Sequence, residues 1–142
     1  MNNPEPEVTP EILSIPCVKL TQHNQNIFLF SLDANTLWSI LEINERSSDK
    51  DEGYQRALSN SRAEDISNFI IQRGIISPAL IVSLNNSSFD EATSTLHIPK
   101  IDNAGWVIDG QHRLRGAYLA SIVENNPVNL TLPVVAFSDL SE

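Results

Sequence analysis

The stretch GWVIDGQHRLRGAYLAS, residues 105–121, is the most informative part of this sequence. Residues 106–109 (WVID) open with an aromatic residue and two β-branched residues, which is typical of a buried strand. From residue 111 to about residue 124 the apolar residues recur at helical spacing instead. The sequence therefore predicts that a strand turns directly into a helix at Gly110.

The residues of this turn are suited to binding an anion. The first N–H groups of a helix and the positive end of its dipole attract negative charge. Gly110 has no side chain, so a phosphate can approach the backbone and φ can be positive. Arg113 carries a planar, permanently charged group that matches phosphate oxygens, and Gln111 and Arg115 share a helix face beside it. We therefore predict a phosphate-binding strand-to-helix turn.

Two residues of the turn are candidates for catalysis. His112 can donate a hydrogen bond or transfer a proton near neutral pH. Asp109 can cap the helix, orient His112 or hold Mg²⁺ against a phosphate. An alternative stays open, because Asp-Gly is also a common turn dipeptide and His112 and Arg113 would then be ordinary first-turn residues. Cations in the first turn oppose the helix dipole, and this favours an anion site.

The rest of the chain predicts a mixed α/β (α+β) domain. A Pro-rich, loose tail is expected over residues 1–13, and one domain over residues 14–142. A helix is predicted from the N-cap Asp33 to about residue 46. A second is predicted from a capping box at residues 61–64 to a left-handed Gly74. Strands are predicted at residues 15–20, 26–32, 79–84, 94–99 and 132–137, with 94–99 as the partner of 79–84.

Charge and composition narrow the classes of function. The formal net charge is -9, which argues against broad, non-specific binding of nucleic acid. A local basic site is still possible if Arg56, Arg62, Arg113 and Arg115 gather in space. The single cysteine, Cys17, excludes an internal disulfide and a Cys-rich zinc site. No apolar window is long enough for a membrane span, and a cytoplasmic location is expected.

The string DGQHR, residues 109–113, resembles the signature of the DGQHR-domain family, which includes DndB-type proteins of DNA phosphorothioation systems. The flanks at residues 55–82 and 132–141 are similar to those of the family, so the resemblance covers roughly residues 15–142. The family belongs to the ParB/sulfiredoxin-like fold. Residues 110–116 resemble the ParB nucleotide-binding box, with Gly116 where alanine is usual. Gln111 replaces the sulfiredoxin cysteine, so peroxiredoxin repair is not expected.

The resemblance implies a nucleotide-binding, NTP-hydrolysing domain that uses ATP or another nucleotide with Mg²⁺. Phosphates would lie against Gly110 and Arg113, with Gln55 and Arg56 approaching from the neighbouring element. DNA is the expected partner of the full-length protein, and a helix is expected to continue past Glu142. The alternative is a non-catalytic, DndB-like DNA-binding regulator of a modification operon. The identity of the nucleotide, hydrolysis as opposed to binding alone, and assembly into a homo-oligomer stay open.

Overall fold

The computed structural model describes residues 9–43 and 52–138, with the backbone alone at residues 52–60. Within these ranges, nine strands form two sheets and three helices accompany them, so the predicted mixed α/β (α+β) class is confirmed. In chain order the elements are β1 (Ile12–Pro16), β2 (Val18–Gln22), β3 (Gln25–Asp33), α1 (Ala34–Ile40), β4 (Leu41–Ile43), α2 (Glu52–Ile71), β5 (Leu80–Leu84), β6 (Ser88–Asp90), β7 (Thr95–Pro99), β8 (Gly105–Asp109), α3 (Gln111–Ser121) and β9 (Thr131–Ser138).

The larger sheet has six strands in the order β2-β3-β9-β5-β8-β4. The pairs β5–β9 and β4–β8 are parallel, and the other three pairs are antiparallel. The smaller sheet is antiparallel in the order β1-β7-β6. The predicted strand-to-helix turn at Gly110 follows β8, which is the strand next to the edge strand β4.

One face of the larger sheet forms the core. Paired residues of β3, β9, β5 and β8 point to the same side and are buried together with residues of α1, α3 and the smaller sheet. Their burial removes apolar surface from water, which is the main favourable term in folding. The contributors from the larger sheet include Phe28, Leu80, Val82, Leu84, Val107, Leu132, Val134 and Ala136.

The first helix is shorter than predicted. Asp33 caps α1 as expected, but α1 ends at Ile40, and the rest of the predicted helix that the structure describes is the strand β4. Leu41 pairs with Gly105 of β8 in parallel register. That pairing partner lies far away in sequence, so the local apolar spacing could not reveal it. The remainder of this prediction, residues 44–46, lies outside the described residues.

The predicted start of the second helix is wrong. Helix α2 begins at Glu52, so Ser61 lies within it and the capping box at residues 61–64 does not start a helix. The helix ends where predicted, but Arg73 rather than Gly74 is left-handed, with φ 70°. The Gly74 N–H donates to the Phe69 carbonyl (2.7 Å) and the Arg73 N–H to the Ile70 carbonyl (2.9 Å), which is a Schellman motif. Phe69, near the end of this helix, is 51% exposed.

The predictions for the N-terminal and central strands need two corrections. The strand predicted at residues 15–20 is divided between β1 and β2, and β1 begins at Ile12, inside the predicted tail. The buried Cys17 separates the two strands, because its N–H donates to the Ser94 carbonyl at 3.0 Å. Strand β7 pairs with β1 and β6, not with the segment at residues 79–84. Strands β2 and β3 form an antiparallel hairpin.

In the part of the chain that the structure describes, no helix combines the length and the apolar composition needed to cross a bilayer.

The cap of α1 gives a pH-dependent prediction. The Asp33 carboxylate accepts hydrogen bonds from the Thr36 N–H and from the Asn129 side chain, both at 2.9 Å. Burial alone would raise the pKa of Asp33, but these hydrogen bonds outweigh it and hold the pKa below its ordinary value. This stabilisation is present above the unfolded-state pKa and is lost as the pH falls through the folded-state pKa.

Replacing Asp33 by alanine is expected to lower the free energy of unfolding by about 1 kcal/mol at neutral pH, the usual value of an N-cap. Urea unfolding at neutral and acidic pH measures this loss. Asp33→Asn is the matched control, because asparagine is an equally good cap that does not titrate. It should retain most of the stability at neutral pH and show a weaker acid dependence. Equal losses in the two variants would contradict the cap assignment.

Candidate functional site

The predicted strand-to-helix turn is present. Strand β8 ends at Asp109, Gly110 occupies the N-cap position with φ 102° and ψ 19°, and α3 begins at Gln111. The Gly110 carbonyl accepts from the Leu114 N–H at 2.9 Å. Gly110 offers no side chain to cap the helix, and the first turn of α3 contains no acidic residue. The start of α3 therefore has neither of the usual protein groups that satisfy a helix N-terminus.

Gly110 is required by both its backbone angle and its surroundings. A φ of 102° is rarely adopted by residues with a side chain. A Cβ atom here would lie 2.7 Å from Leu80 Cδ2 and 3.0 Å from Arg113 Nη2. The backbone at Gly110 therefore packs directly against Leu80 of β5 and against the guanidinium of Arg113, which leaves no room for a side chain.

Arg113 points back across the turn to the start of β5. Its Nη2 donates to the Ala79 carbonyl at 3.0 Å and lies 3.7 Å from Asp109 Oδ2. Its Nε is buried and has no hydrogen-bond acceptor among the described residues. Arg113 thus fastens the helix start to β5, while part of its donor set stays available for an anion.

Asp109 lies beside Arg113, at the end of β8. Its side chain is 66% exposed, so the carboxylate is open to solvent while it pairs with the guanidinium. The predicted capping role is not observed, because Gly110 holds the cap position and no side chain caps α3. Asp109 can still offer an oxygen ligand to a cation that a phosphate brings with it.

His112 is half-buried, on a different side of α3 from Arg113. Burial lowers the pKa of His112 below its ordinary value, and the positive charges of Arg62 and Arg115 lower it further. The imidazole is therefore neutral at pH 7. A neutral ring has one donor nitrogen and one acceptor nitrogen, so His112 can donate a hydrogen bond or accept a proton. From the sequence, His112 was counted with Arg113 as a cation in the first turn of α3. A neutral His112 adds no positive charge there.

Arg115 is held against an aromatic pair. Its guanidinium carbon lies 5.9 Å from the centre of the Trp38 ring, within the range of a cation–π contact. Trp38 stacks on Tyr118 with ring centres 4.7 Å apart and planes 11° apart. The spacing of Arg115 and Tyr118, three apart on one helix, was the signal that they share a face.

The other side of α3 is shaped by Gly116. A Cβ atom on Gly116 would lie 2.6 Å from Ile66 and 2.9 Å from the Ala63 carbonyl oxygen, so the backbones of α2 and α3 touch here. This contact brings Arg62, the neighbour of Ala63, into electrostatic range of His112. Arg62 and Arg115 both act electrostatically on His112, while Arg113 points toward β5. The side chain of Arg56, the fourth arginine considered from the sequence, lies outside the described residues.

Three further residues, Gln111, Gln55 and Arg56, were predicted for the site. Gln111 is the first residue of α3 and is half-buried. Gln55 and Arg56 belong to α2, in the part of the helix where the structure describes the backbone alone. Within the described ranges, no group of three or more His, Cys, Asp or Glu side chains is placed to hold a metal ion. A magnesium ion at Asp109 would therefore need oxygens from a ligand or from water.

The turn, its helix and the strand before it all lie within a region of family similarity. A family model for DndB, described as DNA-sulfur modification-associated, matches residues 15–142. The chain belongs to the DndB family. The DndB match spans β2 to β9, so every residue of the candidate site is inside it.

No curated protein and no solved structure matches this DndB-family chain. Membership of the DndB family connects the chain with DNA-sulfur modification. The wider relationship with DGQHR-domain and ParB-like proteins stays a prediction from the residues of the turn.

Proposed function

We propose that this chain binds a nucleotide through the turn at residues 109–113, within a DNA-sulfur modification system. The observation that carries the proposal is the start of α3. A left-handed glycine leaves the helix N-terminus without a side-chain cap or an acidic residue, and Arg113 lies over it. Backbone N–H groups, the helix dipole and a guanidinium at one point favour a phosphate.

Each residue of the turn has a separate role in this proposal. The backbone at Gly110 and Gln111 would lie against a phosphate, and the guanidinium of Arg113 would donate to its oxygens. Asp109 would hold Mg²⁺ jointly with the phosphate oxygens, as is usual for magnesium bound to nucleotides. Nucleoside triphosphates such as ATP are the first nucleotides to test, because a triphosphate supplies more oxygens to the ion than a diphosphate does.

Hydrolysis is the further step that we propose for this site. A neutral His112 would accept a proton from an attacking water or donate a hydrogen bond to the phosphoryl group. Asp109 would hold a magnesium ion, whose charge would offset the negative charge that develops on the phosphate oxygens. Asp109 and His112 are accordingly the proposed catalytic pair, and an Asp109→Asn variant should bind nucleotide while releasing little phosphate.

The proposal is tested by measuring the melting temperature of the chain with and without nucleotide. The chain is heated with ATP, ADP, CTP or GTP, each with Mg²⁺. A nucleotide present at about 100 times its dissociation constant should add about 2.7 kcal/mol of stability. For a chain of this length that corresponds to a rise of roughly 10 °C. Arg113→Ala should abolish most of this rise.

Two controls separate binding from folding. Arg113→Ala also loses the bond to the Ala79 carbonyl, so its shift is measured from its own melting temperature without nucleotide. Arg73→Asn removes a positive charge at the far end of α2 and suits the left-handed backbone there, so the nucleotide shift should persist. If no nucleotide raises the melting temperature of the parent, the proposal fails. If DNA alone raises it, the turn binds a DNA phosphate instead.

A further inference from the structure

The second face of the larger sheet, opposite the core, has no cover among the described elements. All three helices and the smaller sheet supply residues to the core cluster on the first face. Side chains of residues that pair across neighbouring strands point to the same side of a sheet. The pairing register therefore shows which residues lie on the second face.

One row of paired residues crosses this second face from edge to edge. From the edge strand β2 to the edge strand β4, its members are Leu20, Ile27, Phe137, Ser83, Trp106 and Glu42. A second row, two residues further along each strand, contains Val18, Leu29, Val135 and Ile81. We call these ten residues the open face. All of them except Ser83 and Glu42 are aliphatic or aromatic.

The open face is separate from the hydrophobic core. None of its apolar residues belongs to the core cluster. Val18 and Leu20, on the edge strand β2, are 58% and 41% exposed. Trp106 and Phe137 lie on either side of Ser83 near the middle of the sheet and are partly exposed. An apolar sheet face is normally buried by another layer, so the open face is a surface for association.

Charge indicates which partner fits the open face. The chain has a formal net charge of -9, so the charged surfaces of two copies repel each other. Among the ten residues of the open face only Glu42 is charged, and it lies at the edge strand β4. A basic partner would find a single carboxylate here, whereas a second copy would meet an equally neutral and apolar surface. We propose that the open face packs against the open face of a second copy of this chain.

The area of the open face fits a reversible dimer. Six strands about 4.8 Å apart and about five residues long give roughly 500 Å² per copy, or roughly 1,000 Å² for the pair. Specific interfaces begin near this area, and pairs of this size are weak. Two sheets packed face to face interleave their side chains, as in a β-sandwich. In a two-fold dimer the same residues serve both copies. The inference goes beyond nucleotide binding and does not depend on it, because no residue of the turn belongs to the open face.

Sedimentation equilibrium tests for the dimer. The chain is measured from about 1 μM to about 1 mM, a range that covers the dissociation constants of weak pairs. We expect the average mass to rise from that of one 15.8 kDa chain toward that of two. The association should be as strong or stronger when sodium chloride is added, because salt screens the repulsion between the two negative chains.

Tryptophan fluorescence shows whether the open face is the surface that pairs. The chain has two tryptophans, and Trp38 stacks on Tyr118 of α3, on the core side of the sheet. In a Trp38→Phe variant, Trp106 alone emits. Its emission should shift to shorter wavelength over the same concentrations at which the mass rises, because the dimer removes the indole ring from water.

Matched lysine substitutions locate the interface. Leu20→Lys places a charge on the open face and should raise the dissociation constant of the dimer by more than about 10-fold, because that charge would be buried without a partner. Ile12→Lys is the control. Ile12 is 49% exposed on β1, the edge strand of the smaller sheet, and lies outside the open face. It adds the same charge and should leave the dissociation constant unchanged. If Leu20→Lys does not fold by circular dichroism, Val18→Lys takes its place.

Each contrary outcome overturns the proposal. If the mass stays that of one chain at every concentration, the open face does not pair with itself. If the mass rises without a shift in Trp106 emission, or if the two lysine variants weaken the dimer equally, the copies meet at another surface. If added salt dissociates the dimer, charged groups and not the open face hold it together. The nucleotide-dependent rise in melting temperature is a separate measurement and decides the proposed function alone.

Discussion

Replacing Gly116 by valine is expected to lower the free energy of unfolding by about 3 kcal/mol, at the upper end of what overpacking usually costs. The first added carbon would already lie 2.6 Å from Ile66 and 2.9 Å from the Ala63 carbonyl oxygen. The carbonyl belongs to the backbone of α2, so the two helices must move apart. A β-branched side chain also restricts rotamers within a helix.

Urea unfolding measures this loss, and Gly116→Ala is its graded partner. Alanine is favoured over glycine by about 1 kcal/mol inside a helix, which would offset part of the clash. We therefore expect a smaller loss for alanine than for valine. A gain in stability for Gly116→Ala would show that α2 and α3 are further apart than described. The close contact also explains why a glycine stands at position 116.

Replacing Gly110 by alanine is expected to cost about 2 kcal/mol, because a φ of 102° forces an alanine into a strained backbone region. The added carbon would also press on Leu80 and on the guanidinium of Arg113. If the turn relaxes, the N–H groups of α3 are displaced. The variant should therefore lose the nucleotide-dependent rise in melting temperature along with stability.

Gly74→Ala is the matched control for Gly110→Ala. The three atoms nearest to its added carbon all belong to the Phe69 ring, which is 51% exposed, and Gly74 has no positive φ. We expect it to cost less than about 1 kcal/mol and to leave the nucleotide response intact. Equal losses in the two variants would contradict a special role for the backbone at Gly110.

The elements defined by local patterns could be predicted from the sequence. Strands β3, β5, β8 and β9 contain runs of β-branched or aromatic residues. The N-cap of α1, Asp33, accepts a hydrogen bond from Thr36, only three residues later in the sequence. Strand β4 could not be predicted in this way. Its three residues form a strand because they pair with β8, and nothing within the segment itself indicates that partner. Residues 61–64 match the capping-box pattern, but they lie inside a longer helix that begins at Glu52.

The strand-to-helix turn could be located from the sequence, but the directions of the side chains around it could not. The DGQHR string fixed the position of the turn, since glycine and a strand-to-helix change are local signals. The direction of Arg113 depends on Ala79, which follows a different helix. The approach of Arg62 depends on the contact of Gly116 with Ala63. Such distances are set by tertiary packing, and one sequence contains no direct record of them.

The position of β9 has a consequence for how the chain folds. Strand β9 is the last described strand in sequence, but it lies third in the larger sheet, between β3 and β5. Before it is added, β2–β3 and β5–β8–β4 are two separate pieces with unpaired edges facing each other. During synthesis on the ribosome, the sheet therefore cannot close until residues 131–138 have emerged. Pairing at such sequence separation is slow, so the exposed edges are where aggregation would start.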